Sequence, residues 1–280
     1  MGKILVTTDF SGHSRKGIRF AFQYAQQTQS KVVLLHVLNL FDPEIAIDSR
    51  TATPQLRWEE ALQLKTNQLK KYIHVVFPSG IPKVDYEIVC LKLERSLAAT
   101  IIHYTKVQAI EMVFCSENGV SIYKTLLGSL PEALLQHCPV PLCIVPNRYR
   151  TTPIHSLCYL TDMAHIDDEM AQITSLQRRL EVRVDVLFFA YEMELKARFT
   201  QLHETAKSYE SNTVRFQYIQ LIPQTPFKEL LHRLLHPLKP SLVVLFRTPN
   251  RSLLSRMLFP SKTSALVLEN HLPLLVIPKP

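Results

Sequence analysis

Leu126-Leu127-Gly128-Ser129 and Pro141-Leu142-Cys143-Ile144-Val145-Pro146 bound the stretch from which the fold is read. A Gly-Ser turn opens a short amphipathic helix. The helix ends near His137, and a buried strand follows and stops at a proline. The arrangement recurs at the far end of the chain, from Leu258-Phe259-Pro260-Ser261 to Pro273-Leu274-Leu275-Val276-Ile277-Pro278. Ser129 and Ser261, Pro141 and Pro273, and Pro146 and Pro278 are each 132 residues apart. Three landmarks at one offset indicate an internal duplication.

Working outward, each half opens on a strand-like run that ends in aspartate. In the first half Lys3 to Thr8 leads to Asp9, and in the second Leu157 to Thr161 leads to Asp162. These runs are apolar without strict alternation, as expected of strands buried on both faces. Ile18, Ala21, Phe22 and Ala25 then fall at the spacing of one buried helical face. Further strands are expected over 31–37, 84–90, 109–114 and 142–145, with helices over 57–76, 93–104 and 129–137. The second half repeats the order, with strands at 182–189, 214–220, 242–246 and 274–277 and helices at 170–180, 194–209 and 227–236. Strands alternating with helices predict βαβ units, hence a parallel sheet with helices on both faces. The fold class is therefore α/β, with two tandem open-sheet domains over residues 1–146 and 154–280 and a polar linker over 147–153. Asp9 and Asp162 are 153 residues apart, against 132 for the later landmarks, so the second copy is the shorter. The aperiodic segment 38–56, rich in Asp, Pro and Thr, accounts for most of the excess and reads as a long loop or lid.

A chain of 280 residues accommodates two domains of ordinary size. It is 46% hydrophobic and 20% charged, in the range of soluble globular proteins. No apolar run approaches the roughly 18 residues of a membrane span. The start, Met1-Gly2-Lys3-Ile4-Leu5-Val6, enters a strand directly and lacks the pattern of a secretory signal, which predicts a cytoplasmic protein. The net charge of +8 is spread over both halves and forms no basic tail, which argues against nucleic acid as a partner. Five cysteines without a C-x-x-C read as buried hydrophobes in a reducing compartment. None of the eleven histidines falls at a metal-ligand spacing, and no metal site is expected. There is no nucleophile elbow, no P-loop and no supportable Ser-His-Asp arrangement, so no catalytic residue is assigned and enzymatic activity is not expected.

In open parallel sheets ligands bind beyond the carboxyl ends of the strands, where the strand order reverses. Asp9 stands at such an end, where its carboxylate can meet a ribose or simply cap the next turn. Asn118 and Gly119 tolerate positive φ. With the amides at the start of the Ser129 helix they could cradle a phosphate, helped by the helix dipole. A turn plus a cap accounts for the same residues equally well. Ser129-Leu130-Pro131-Glu132 has the form of a capping box.

The run Ile4-Leu5-Val6-Thr7-Thr8-Asp9-Phe10-Ser11, the Leu-Leu-Gly-Ser run and the closing Cys138 to Pro146 resemble the universal stress protein family. With the repeat, the likeness covers nearly the whole chain and implies a tandem-domain member. It implies an adenine-nucleotide-binding α/β domain with strand order 3-2-1-4-5. It also implies pairing of the two domains through their fifth strands, and a homodimer as a further assembly. ATP or AMP is the cofactor implied for the first domain, and Asp9, Val37, Asn118, Gly119, Gly128 and Ser129 are the positions it points to. Nucleotide-binding members carry a G-x2-G-x9-G-[S/T] loop. Gly128 and Ser129 match its end, but Asn118 and Cys115 stand where the two earlier glycines belong. In the second half Arg247, Asn250 and Pro260 replace all three, and only Ser261 remains. No nucleotide site of the family kind is expected there, and proline also removes an amide. Arg247, Arg251, Arg256 and Lys262 occur with no acidic residue before Leu268, so Arg247, Arg251 and Ser261 form a candidate anion site, with a solvated basic loop as the simpler reading. Three functions follow: a stress-response binding or regulatory module, a nucleotide-dependent switch or slow ATP hydrolase, and a structural interaction protein without ligand.

Overall fold

The computed structural model describes residues 2–39, 54–116, 130–163, 165–222, 224–247 and 272–279. The chain divides into two compact units, Met1–Thr151 and Thr152–Pro280. The division falls inside the polar stretch after Pro146.

The first unit runs β1 (Lys3–Thr7), α1 (Ser14–Thr28), β2 (Lys31–Leu38), α2 (Pro54–Val76), β3 (Tyr86–Lys92), α3 (Leu97–Val107), β4 (Met112–Ser116), α4 (Leu130–His137) and β5 (Leu142–Val145). Its strands lie in the order β3-β2-β1-β4-β5. Every pair is parallel, with Ile4 beside both Val32 and Met112, and Val113 beside Leu142. Central strands with helices on their faces have no side in water, which is why β1 and β4 are apolar without alternation. Leu5, Val6, Val113 and Phe114 are fully buried. α1 presents Ile18, Ala21, Phe22 and Ala25 to this sheet, as the spacing predicts. Phe114 packs against Phe20 and Tyr24 at centroid distances of 6.2 and 5.3 Å, and Tyr149 closes on Phe20 at 5.4 Å.

The second unit runs β6 (Ser156–Thr161), α5 (Ile166–Leu180), β7 (Arg183–Tyr191), α6 (Glu192–Tyr209), β8 (Val214–Leu221), α7 (Phe227–Leu238), β9 (Leu242–Arg247) and β10 (Leu274–Pro278). Its order is β8-β7-β6-β9-β10, again parallel throughout. The two units thus share one strand order, 3-2-1-4-5. The likeness extends to local geometry. α1 and α5 both end on a residue in the left-handed region, Gln29 at φ 54° and Glu181 at φ 55°. In each, the following amide (Ser30, Val182) returns to the carbonyl five residues back (Ala25, Gln177).

Element limits differ from the sequence expectation where a local hydrogen bond decides. The helix expected from Leu93 begins at Leu97. Leu93 N–H donates to Leu38 O at 2.8 Å and so remains at the sheet, while Ser96 Oγ accepts the Ala99 N–H at 3.1 Å and caps the helix. Ser96→Ala is expected to cost about 1 kcal/mol. Urea unfolding reads this directly, and an unchanged midpoint would remove the cap from the account. α5 begins at Ile166 rather than Met170, because Asp167, Asp168 and Glu169 complement the positive end of the helix dipole. The helix expected from Arg57 starts at Pro54, a residue suited to a first helical turn. Of the expected lid, 40–53 lie outside the described residues. Among the described residues, no helix is long and apolar enough to cross a membrane.

Candidate functional site

The carboxyl end of β1 is shaped by three consecutive residues. Thr8 N–H donates to Leu35 O at 2.9 Å, so the chain follows β2 one residue past the strand. Thr8 Oγ1 then accepts the Phe10 N–H at 3.1 Å, and Asp9 Oδ1 accepts the Ser11 N–H at 3.0 Å. These are the self-bonded turns that Thr and Asp form readily. They hold Phe10 at φ 62°, a conformation costly for a bulky side chain and found where the surroundings enforce it. The capping role foreseen for Asp9 is thus filled through Oδ1.

A hydroxyl cluster braces this turn. Ser14 Oγ lies 2.9 Å from each of Thr8 Oγ1, Tyr72 Oη and Ser11 O. Tyr72 Oη donates to Ser11 O at 2.6 Å. His36 Nδ1 is 2.9 Å from Thr8 O, and because a carbonyl only accepts, Nδ1 carries the proton. The Phe10 ring meets the His36 ring at 4.6 Å and the Tyr72 ring at 5.4 Å, both edge to face. Two cations lie on these rings: Lys65 Nζ is 5.4 Å from the Phe10 centroid and Arg15 Cζ 5.8 Å from that of Tyr72. Lys92 Nζ sits 4.5 Å over Trp58 at the end of β3.

The end of β4 joins the same place. Gly17 N–H donates to Ser116 Oγ at 3.1 Å, between residues 99 apart in sequence. A Cβ on Gly17 would stand 2.7 Å from that oxygen and 3.4 Å from the Ser116 amide nitrogen. Glycine inside a helix is unfavourable, so its presence there marks a close approach. The first turn of α1 is therefore clamped to the last residue of β4. β1 and β4 flank the point where the strand order reverses, and the segment 117–129 departs from Ser116. The sequence reading missed this clamp, although Gly17 is one of only six glycines in the chain and, among the described residues, the only one in a helix.

Among the positions named from sequence, Asp9 is in this turn. Val37 is half-buried near the end of β2, beside Leu91 of β3. Asn118, Gly119, Gly128 and Ser129 lie outside the described residues, as do Arg251 and Ser261. Arg247 closes β9, half-buried, and its carbonyl accepts the Lys279 N–H at 3.1 Å.

The second unit repeats the turn and changes its setting. Thr161 Oγ1 accepts the Met163 N–H at 2.8 Å, and Met163 has φ 55°. Thr161-Asp162-Met163 therefore copies Thr8-Asp9-Phe10. Glu169, however, occupies the fourth position of α5, the place Gly17 holds in α1. It is 3% exposed. Its carboxylate accepts hydrogen bonds from Tyr159 Oη and from Thr161 Oγ1, the latter at 3.2 Å, and pairs with Lys279 Nζ at 2.5 Å. Burial, then the Glu169 charge, pushes the Tyr159 phenol well above its ordinary range, so it stays a donor. By strand register Phe246 stands where Ser116 does, with its ring 5.6 Å from that of Tyr159. A charged network in the second unit thus stands where the Gly17–Ser116 contact stands in the first.

Cys115, Cys138, Cys143 and Cys158 are buried, and none of the five cysteines is in a disulfide. Burial pushes the Cys115, Cys143 and Cys158 thiols far up, which keeps them protonated and unreactive. Among the described residues no group of three or more His, Cys, Asp or Glu is disposed to hold a metal ion.

Comparison with known proteins adds the following. The sequence model of the universal stress protein family matches residues 1–146. A universal stress protein from Archaeoglobus fulgidus has a similar structure, with TM-score 0.69 and 13% identity, over 99% of this chain and 98% of that one. A putative universal stress protein from Pseudomonas aeruginosa UCBPP-PA14 gives 0.58 at 15% identity, over 99% and 92%. A functionally unknown protein from Pseudomonas aeruginosa PAO1 gives 0.57 at 15% identity with the same coverage. At these identities the likeness is one of fold, and it extends over both units. No curated protein sequence matches the chain.

Proposed function

The chain belongs to the universal stress protein family, and from that premise we propose that its first unit binds an adenine nucleotide, ATP or AMP, and that the protein serves the stress response as a cytoplasmic binding and regulatory module. One observation carries the reading: the strained Thr8-Asp9-Phe10 turn is fixed to the end of β4 through the Gly17–Ser116 clamp, at the reversal of strand order. Ligands of open parallel sheets bind at that point. Strain held there by a network of hydroxyls is consistent with a prearranged site. Asp9 keeps its turn through Oδ1 alone, and its second carboxylate oxygen is the group proposed to meet the ribose.

Among the described residues no group is disposed to hold a metal ion, and the Cys115 thiol at the end of β4 is held protonated by burial, so binding is favoured over rapid chemistry as the role of the site. The second unit supports the same asymmetry. Glu169 would confront a phosphate with a buried negative charge, so one nucleotide per chain is expected.

Mass spectrometry of gently denatured protein tests the reading. ATP or AMP released at up to one per chain is the expected result. Isothermal titration with both nucleotides follows if none co-purifies. Binding by neither method, in folded protein, would overturn the proposal. Asp9→Ala should weaken nucleotide binding about tenfold, the equivalent of one hydrogen bond to a charged group.

A further inference from the structure

β3 closes the sheet of the first unit, and among the described residues β2 is its one neighbouring strand. None of Tyr86-Glu87-Ile88-Val89-Cys90-Leu91-Lys92 is buried, although Ile88 to Leu91 are apolar throughout. We propose that this edge is where two copies of the chain meet, with β3 pairing antiparallel to β3 of a second copy about a twofold axis at Val89.

The hydrogen-bond register decides which groups the edge offers. Val32 N–H donates to Asp85 O and Leu93 N–H to Leu38 O, each at 2.8 Å. Along a strand in a parallel pair, the N–H and C=O of one residue turn to one side and those of the next residue to the other. Asp85, Glu87, Val89, Leu91 and Leu93 therefore face β2, and Tyr86, Ile88, Cys90 and Lys92 turn their backbone groups away from the sheet. An outward row of this kind is a template for another strand. The row is symmetric about Val89. In the antiparallel pairing Tyr86 meets Lys92 of the second copy, Ile88 meets Cys90, and the two Val89 residues meet each other. Each outward N–H and C=O then has a counterpart, and one surface is used twice, as an isologous dimer requires. The side chains agree with that register. Ile88 and Val89 are β-branched and suit cross-strand contact. Glu87 lies opposite Leu91 and Lys92 opposite Tyr86, so no like charges are juxtaposed. Both charges are also engaged inside the unit, Glu87 with Lys31 at 2.7 Å and Lys92 over Trp58 at 4.5 Å. The other sheet edge is managed differently. β8 carries Arg215, Gln217 and Gln220 along its length. At its start Val214 O accepts the Ser211 N–H and Val214 N–H donates to Ser211 Oγ, both at 3.1 Å, so its first rung is closed locally. Polar residues and closed rungs protect a sheet edge from pairing, and β3 has neither between Ile88 and Leu91.

Sedimentation equilibrium of the full chain over a range of concentrations tests the proposal. A dimer that dissociates in the micromolar range is expected, because a single strand edge is a small interface. Val89→Lys and Val89→Glu each set two like charges on the axis and should weaken association about tenfold or more. An equimolar mixture of the two variants should recover dimers, which misfolded chains would not do. Amide hydrogen exchange of wild type reads the register without any variant. Raising the protein concentration should slow exchange at Tyr86, Ile88, Cys90 and Lys92, while Glu87, Val89 and Leu91 keep the protection that β2 already gives. Wild type that stays monomeric at every concentration would overturn the proposal. So would dimers that neither variant weakens, because another surface would then join the copies. Dimers lost in both variants and not recovered on mixing would overturn the pairing about Val89. Outward amides equally protected at every concentration would also overturn it, since the chain would then cover its own edge.

Discussion

Glu169→Ala is expected to destabilise the second unit by about 3–5 kcal/mol, the cost of breaking a buried ion pair from one side. Lys279 would be left with its side chain 11% exposed and its counter-charge gone. Tyr159 Oη, fully buried, would lose its acceptor at the same time. Urea unfolding followed by circular dichroism gives the measurement, with each unit's transition fitted separately. A shift under 1 kcal/mol would show that the pair is open to water. The double variant Glu169→Leu with Lys279→Met is the control. Replacing both partners by apolar groups of similar volume removes the desolvation cost together with the attraction, and often restores stability. Recovery towards wild type would assign the loss in the single variant to an orphaned charge and not to lost packing.

Gly17→Glu is the reciprocal experiment, since it carries the second unit's residue into the first. Its Cβ alone would press on Ser116 Oγ at 2.7 Å. By strand register Asn147 holds the place in the first unit that Lys279 holds in the second, so no lysine stands at that position. A carboxylate would be buried without a partner, at about 3–5 kcal/mol. Burial raises the pKa of such a carboxyl in the folded state. The electrostatic penalty is therefore present at neutral pH, shrinks as pH falls through the raised folded value, and is gone below the unfolded value of about 4.3. The steric part remains at all pH values. Unfolding at pH 7 and pH 4 separates the two. Equal losses would mean the charge finds water. Nucleotide binding should disappear with Gly17→Glu even at temperatures where the unit remains folded, because the carboxylate lies at the reversal of strand order.

These two variants mark where sequence reading stopped. The likeness of Asp9 and Asp162 was visible as two aspartates after two first strands. Both following residues, Phe10 and Met163, take positive φ, which no periodicity announces. The turn was half legible, because Thr and Asp are known formers of such bonds, while the strain at the third residue depends on the His36 and Tyr72 rings around it. Gly17 and Glu169 appeared in sequence only as residues on two helices. Their equivalence rests on counting from the matched ends of α1 and α5, and those ends were fixed by Gln29 and Glu181 in the left-handed region. Neither residue is a type that sequence reasoning associates with a helix end. Lys279 and Glu169 belong to elements far apart in the chain, and nothing local links them.

By itself the sequence determined the duplication, the order of strands and helices, the placement of the apolar faces and the aspartate turn at the end of each first strand. These follow from hydrophobic spacing and turn chemistry, which act over a few residues and are written along the chain. Only the tertiary structure decided which ends face one another: Gly17 against Ser116 in one unit, Glu169 against Lys279 in the other. In a parallel sheet the neighbours of a strand arrive through long crossovers, and their register is fixed by packing across the whole unit. The difference between a glycine–serine clamp at one end and a charged network at the other therefore comes from non-local pairing, which composition and spacing do not encode.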